Sequence, residues 1–171
     1  FVYDAERLKV HGGMIRVYAS LYKKPFTDNL KKILNKEDDK NIIKKIKSLN
    51  SFRIHFNKKI KKLFVNLKKK KKTIYAMGAA PRACVLLNSS NLTKNEIGLV
   101  GEVSKSLKCN KYVPGTNIMV KDENKILTNK PDYVIILAWH LKKRIIKLLL
   151  KKNYKGGFII PLPKLEILRG K

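Results

Sequence analysis

The stretch "TIYAMGAAPRACVLLNSS" (Thr73–Ser90) is the part of the sequence best suited to chemistry. A β-rich run enters a turn at Gly78, and an apolar helical pattern begins at Pro81. Dinucleotide-binding turns read G-x-G-x-x-G/A after a strand, with an acidic residue ~20 positions later for a ribose hydroxyl. In that register this chain has Gly78, Ala80 and Ala83, then Glu102. Alanine is permitted at the third position. At the second, Ala80 replaces the glycine that lets backbone approach a pyrophosphate. Pro81 suits the first helical turn, and Arg82 adds a guanidinium there. A helix start with an Arg can hold an anion. The same residues also make a plain strand-to-helix corner, and spacing leaves both readings open.

Three other places bear polar groups at turns. "KYVPGTNI" (Lys111–Ile118) contains a Pro114–Gly115 turn, with Lys111, Tyr112 and Thr116 able to meet a ligand. Trp139 and His140 follow an apolar run, where the His can equally cap a helix. His11 precedes Gly12 and Gly13, yet no carboxylate or nucleophile accompanies it as a general base would need. There is no Ser-His-Asp order, carboxylate dyad or full Walker loop. Two cysteines, Cys84 and Cys109, and three scattered histidines cannot build a zinc set, so a reduced, cytoplasmic setting is the expectation.

The elements that must position these groups change in style at Thr73. Before it, Phe1–Val10 is extended, His11–Gly13 is a turn, and Met14–Leu21 alternates as a strand. Thr27 or Asp28 caps a short helix, Asn29–Leu34. A long helix is expected over Asp39–Lys70, its stripe formed by Ile42, Ile46, Leu49, Phe56, Ile60, Leu63 and Leu67. After Thr73, strands are expected at Thr73–Met77, Gly98–Glu102, Asn117–Val120, Tyr133–Ala138 and Gly157–Ile160. Helices fall at Pro81–Asn88, Asp122–Leu127 and His140–Lys152. "DYVIILAW" is apolar on both sides, as a covered parallel strand must be. The fold class is α/β: a Rossmann-like, doubly wound parallel sheet of about five strands, preceded by a long connector helix and a β segment. The expected domains are residues 1–26, 27–72 and 73–171.

The 171 residues are 44% hydrophobic and carry a net charge of +28. Of 40 basic residues only Arg7, Arg16, Arg53, Arg82, Arg144 and Arg169 are arginines. The lysines are spread over solvent-facing positions, with many Asn and Ile beside them. Nucleic-acid recognition favours arginine forks and stacked aromatics, so a compositional bias is the better reading and a nucleic-acid partner is not expected. No apolar run approaches the ~18 residues of a membrane span, and no signal peptide is visible. The chain begins at Phe1 in mid-pattern, which suggests a fragment.

The series "YDAERLKVHGGMIRVYAS", "GAAPRACVLLN", "KYVPGTNI", "DYVIILAWH" and "GGFIIPLP" resembles, in order and spacing, the C-terminal part of the sugar C-methyltransferases. These are S-adenosylmethionine-dependent enzymes acting on nucleotide-linked deoxysugars. The resemblance covers nearly the whole chain. It implies an N-terminal zinc-binding module, a central domain that binds S-adenosylmethionine, and a Rossmann-like C-terminal domain that assists nucleotide-sugar binding. On that view residues 1–26 close the central domain, residues 27–72 connect, and the zinc cysteines and catalytic motif lie before Phe1. The partner would be a nucleotide sugar such as a dTDP-deoxysugar. Its implied contacts are His11, Gly12, Gly13, Arg16, Gly78, Ala79, Arg82, Glu102, Pro114, Gly115, Thr116, Trp139 and His140. The chain departs from the family at Met14, where Ser is usual, and at His140, where Asn is common. Two other readings are a free-standing dinucleotide- or CoA-binding module and a basic nucleic-acid-binding protein.

Overall fold

The computed structural model describes residues 1–37 and 39–170, without the side chains of residues 11 and 39–41. The chain divides into two compact units, Phe1–Arg53 and Ile54–Lys171. In the first, β1 (Val2–Leu8) and β2 (Met14–Ala19) form an antiparallel ribbon around a 3-10 turn at Val10–Gly12. Helix α1 (Asp28–Lys36) starts where Thr27 accepts the Leu30 N–H. The Thr27 hydroxyl also donates to Asp4, so the cap is tied to the ribbon. Met14, Ile15 and Val17 of β2 are exposed.

Helix α2 (Asp39–Lys69) gives its first part to one unit and its second to the other. Its stripe behaves differently along its length. Phe56, Ile60, Phe64 and Leu67 are buried, whereas Ile46 and Leu49 are exposed. Phe64, rather than the expected Leu63, is the residue buried there, because spacing alone does not fix which of two adjacent apolar residues faces a partner.

The second unit is built on a sheet of seven strands. They are β3 (Ile74–Met77), β4 (Leu99–Glu102), β5 (Tyr112–Val113), β6 (Ile118–Asp122), β7 (Tyr133–Ile136), β8 (Gly157–Ile160) and β9 (Glu166–Leu168). Their order is β5-β6-β4-β3-β7-β8-β9. The five inner strands are parallel. Taken alone they run third, second, first, fourth, fifth, which is the Rossmann order. All five were expected from the sequence. The short antiparallel edges β5 and β9 were not, since two or three residues show no alternation to read. They blunt both sheet edges.

Helices cover both faces. The second half of α2 and α3 (Pro81–Ser89) pack on one side with Ile74, Ala76, Val100 and Ile135. On the other, α4 (Asn124–Asn129) and α5 (Lys142–Lys151) pack with Met77, Val134, Ile136 and Phe158. Val134 through Leu137 are fully buried, which explains the unbroken apolar run of β7. The connection from β4 to β6 contains β5 instead of a helix.

At the amino-terminal edge of the sheet, Asp132 accepts from the N–H and hydroxyl of Thr73 and from Lys72. The Thr73 hydroxyl oxygen in turn accepts the Asp132 N–H at 3.0 Å. This clamp holds the starts of β3 and β7 in register. The Lys72 ammonium and then the Thr73 amide pull the Asp132 carboxyl down to about 2.

Candidate functional site

The carboxyl ends of β3 and β7 are where the strand order reverses, and ligands of open α/β sheets bind there. Gly78 ends β3 at φ +97°, and a Cβ on it would meet the Cβ of Ala138 at 2.9 Å. Only glycine allows this turn to close against the end of β7. The Gly78 N–H donates to Gly101 O at 2.9 Å, and Leu137 N–H donates to Met77 O at 2.9 Å. Three strand ends thus meet at one point. A crevice of about 390 Å³ opens beside them, lined among others by Gly78, Glu102, Glu123, Ala138 and Arg144.

Ala80 takes an extended conformation and N-caps α3 without a side-chain bond, and Pro81 opens the helix. Ala83, at the third fingerprint position, is 1% exposed and packs in the core under the helix. A small residue there lets α3 lie close to the sheet. Glu102 does something that spacing did not show. Its carboxylate accepts the Ala79 N–H at 2.8 Å and the Val103 N–H at 3.1 Å, and pairs with Lys108 at 3.7 Å. Its side chain is only 15% exposed. One of the turn's amides, the kind of donor that would face a phosphate, is therefore already spent on an internal carboxylate.

Arg82 sits exposed on the first turn of α3, outside the lining of the crevice. Trp139 and His140 lie in a 3-10 turn, Trp139–Leu141, that follows β7. Trp139 packs against both cores, and of this turn Leu141 is the residue that lines the crevice. The Pro114–Thr116 segment packs on α3: Pro114 O accepts from Asn88 Nδ2 at 2.9 Å. Gly115 has φ +75°, and a Cβ there would strike Asn88 Oδ1. Thr116 is buried, its hydroxyl donating to Val113 O and accepting the Ile118 N–H, so that group is committed to the loop.

A second hollow lies across the turn from the crevice. It measures about 570 Å³ between α3 and the β4–β6 connection, with Ala79, Pro81, Val85, Tyr112 and Pro114 in its lining and Lys108 and Lys111 beside them. Gly12, Gly13 and Arg16 belong to the other compact unit. Arg16 pairs with Glu6 across the ribbon at 3.0 Å, Gly12 and Gly13 have positive φ, and the His11 side chain is outside the described residues.

Glu123 and Arg144 were missed from the sequence. Glu123 pairs with Lys152 at 3.6 Å. The available signals were its place just beyond the third parallel strand and, for Arg144, the scarcity of arginine in a lysine-rich chain. Among the described residues no group of three or more His, Cys, Asp or Glu could hold a metal ion, and no helix is long and apolar enough to cross a membrane.

A parallel sheet in the Rossmann order, its glycine turn closing against the neighbouring strand at the switch point, defines a Rossmann-like α/β domain. More narrowly, the chain belongs to the C-methyltransferase C-terminal domain family, which matches residues 9–163. It is similar to the C-methyltransferase NovU of Streptomyces niveus, with 30% identity over 98 residues. That match covers 57% of this chain and 23% of NovU, so the chain spans only a minor part of its relative's length.

Proposed function

We propose that this chain is the nucleotide-sugar-binding part of an S-adenosylmethionine-dependent C-methyltransferase. The observation that carries the reading is the switch-point crevice, in a chain of the C-methyltransferase C-terminal family. The parent enzyme would methylate a sugar carbon next to a carbonyl. A base removes the proton alpha to that carbonyl, and the resulting enolate attacks the donor's methyl carbon. Binding the nucleotide away from the reacting carbon supplies positioning.

The methyl donor belongs, in this reading, to an upstream domain that also includes residues 1–26. The exposed Met14, Ile15 and Val17 of β2 support an apolar neighbour there. Glu102 is engaged by two amides and Glu123 by Lys152. No step of methyl transfer is therefore assigned to them. Their remaining lone pairs suit hydroxyl donors of a sugar or ribose.

The test is a titration of dTDP-glucose against the chain and an Arg144→Ala variant, which removes the crevice's guanidinium, read by Trp139 fluorescence and calorimetry. A roughly tenfold loss on removing the guanidinium is expected from a charge-assisted contact. Equal affinity would remove Arg144 and the crevice it lines from the site. The competing dinucleotide reading rests on Gly78 and Glu102. Ala80 and the Ala79–Glu102 bond oppose it, and NAD should leave Trp139 unquenched.

A further inference from the structure

We infer that a hollow at the amino-terminal edge of the sheet binds a small oligophosphate anion, two or three linked phosphates. It lies at the opposite end of the strands from the crevice, so the inference goes beyond the nucleotide-sugar reading and does not rest on it. The hollow measures about 610 Å³, and Lys130, Asp132, Lys152, Tyr154, Lys155 and Gly156 are in its lining. Its frame is fixed. The parallel strands β7 and β8 start here, directly after Asp132 and Gly156. Tyr154 is buried, and its hydroxyl lies 3.1 Å from Pro131 O and 3.2 Å from Gly157 O, which ties the two strand starts together. A side chain on Gly156 would strike that hydroxyl. Lys130 and Asn153 are left-handed, at φ +42° and +60°, so the chain turns sharply after α4 and after α5.

Charge gives the hollow its chemistry. Its charged lining residues are three lysines and Asp132. The Asp132 carboxylate is already taken by Lys72 at 2.7 Å and by Thr73. Lys152 is shared with Glu123 at 3.6 Å and with Asn124. Lys130 and Lys155 are exposed and have no carboxylate partner among the described residues. The carboxyl ends of α4 and α5 account for Lys130 and Lys152, because a helix dipole favours a cation there. They do not account for Lys155, which lies beyond the α5 cap and its turn. Nor do they account for Arg169, whose neighbour Gly170 lies against the Lys155 carbonyl. Cations from separate segments thus converge on one concavity, at a cost in mutual repulsion that a bound anion relieves. Lysine serves phosphate as a point charge, and several ammonium groups match an anion of several charges better than a single carboxylate. The volume is that of a small-molecule site.

The test is inorganic triphosphate titrated into the isotope-labelled chain, followed amide by amide by NMR and in parallel by calorimetry. The salt is held at about 150 mM, where exposed charges are screened beyond ~8 Å. The amides of Lys130, Lys155 and Gly156 should shift most, a result that needs no variant. Lys130→Glu combined with Lys155→Glu should weaken binding about tenfold or more, as for loss of charge-assisted contacts. Lys61→Glu, the same change of charge on the exposed side of α2, should leave the affinity within about twofold. If the shifts spread over the lysine-rich surface and Lys61→Glu costs as much as the double variant, the anion follows net charge alone and this site is wrong. Shifts confined to Gly78 and Ala79, or no shifts at all, also overturn it. Neither outcome touches the nucleotide-sugar reading, which dTDP-glucose tests at the crevice.

Discussion

Glu102 holds the amide of Ala79 at 2.8 Å, so a carboxylate oxygen sits on a backbone donor of the strand-to-helix turn. The turn supplies its own anion. This relationship reverses the usual meaning of an acidic residue at the end of the second strand. Here it braces the turn and sets the sign of its field, and the hydroxyl-binding capacity it retains is secondary.

Replacing the carboxylate tests that statement directly. Glu102→Gln keeps the shape but removes the charge, and it leaves one accepting oxygen for the two amides of Ala79 and Val103. We expect a stability loss of about 1–2 kcal/mol in urea unfolding, as for a hydrogen bond to a charged group. Pyrophosphate affinity should rise about fivefold, because a repulsion of about 1 kcal/mol has gone. An unchanged affinity would show that Glu102 does not screen the turn.

Gly78 should tolerate no side chain. At φ +97°, with Ala138 Cβ 2.9 Å from the position of an added Cβ, Gly78→Ala combines backbone strain with a clash. A cost of about 2 kcal/mol is expected. At ~2–4 °C per kcal/mol for a chain of this size, the melting temperature falls by several degrees. A melting curve that overlays the parent's would mean that the two strand ends can separate freely.

Stability should follow the Asp132 clamp through acid. Its folded carboxyl, at about 2, lies below the ordinary value near ~3.9. A depressed pKa stabilises fully above the unfolded value and loses that contribution as pH falls through the folded one. Asp132→Asn should therefore lower the urea midpoint at pH 7 and 5, with the gap from the parent closing between pH 4 and 2. A gap that stayed constant down to pH 2 would mean that the carboxylate's charge contributes nothing.

The net charge of +28 will make the chain adhere to polyanions. Binding to duplex DNA should fall steeply with salt and ignore sequence. Retention of a sequence preference at 200 mM salt, measured by anisotropy with two unrelated duplexes, would revive the nucleic-acid reading.

Much of the fold was legible because burial on both faces leaves its mark on composition. "DYVIILAW" reads as a covered strand, and β7 is one. Likewise, "GAAPRAC" reads as a turn into a helix start, and α3 begins at Pro81. What stayed hidden depends on register between distant segments. The Ala79–Glu102 bond joins residues 23 positions apart, and Thr116 is buried with its hydroxyl bonded to Val113 and Ile118 of its own segment. Tyr112–Val113 is too short for alternation, yet as β5 it forms the wall that gives the second hollow one side. The exposed front of the α2 stripe looked no different in sequence from its buried end.

The strand order also dictates when the crevice can exist. During synthesis β3 meets β4 about 25 residues later, but its other edge waits for Tyr133–Ile136. Until β7 leaves the ribosome, the edge of β3 that later borders the crevice is open, and such long-range pairing is slow to form. A chain cut before Tyr133 would therefore lose the side of the crevice lined by Ala138, Leu141 and Arg144 and expose an apolar strand to aggregation.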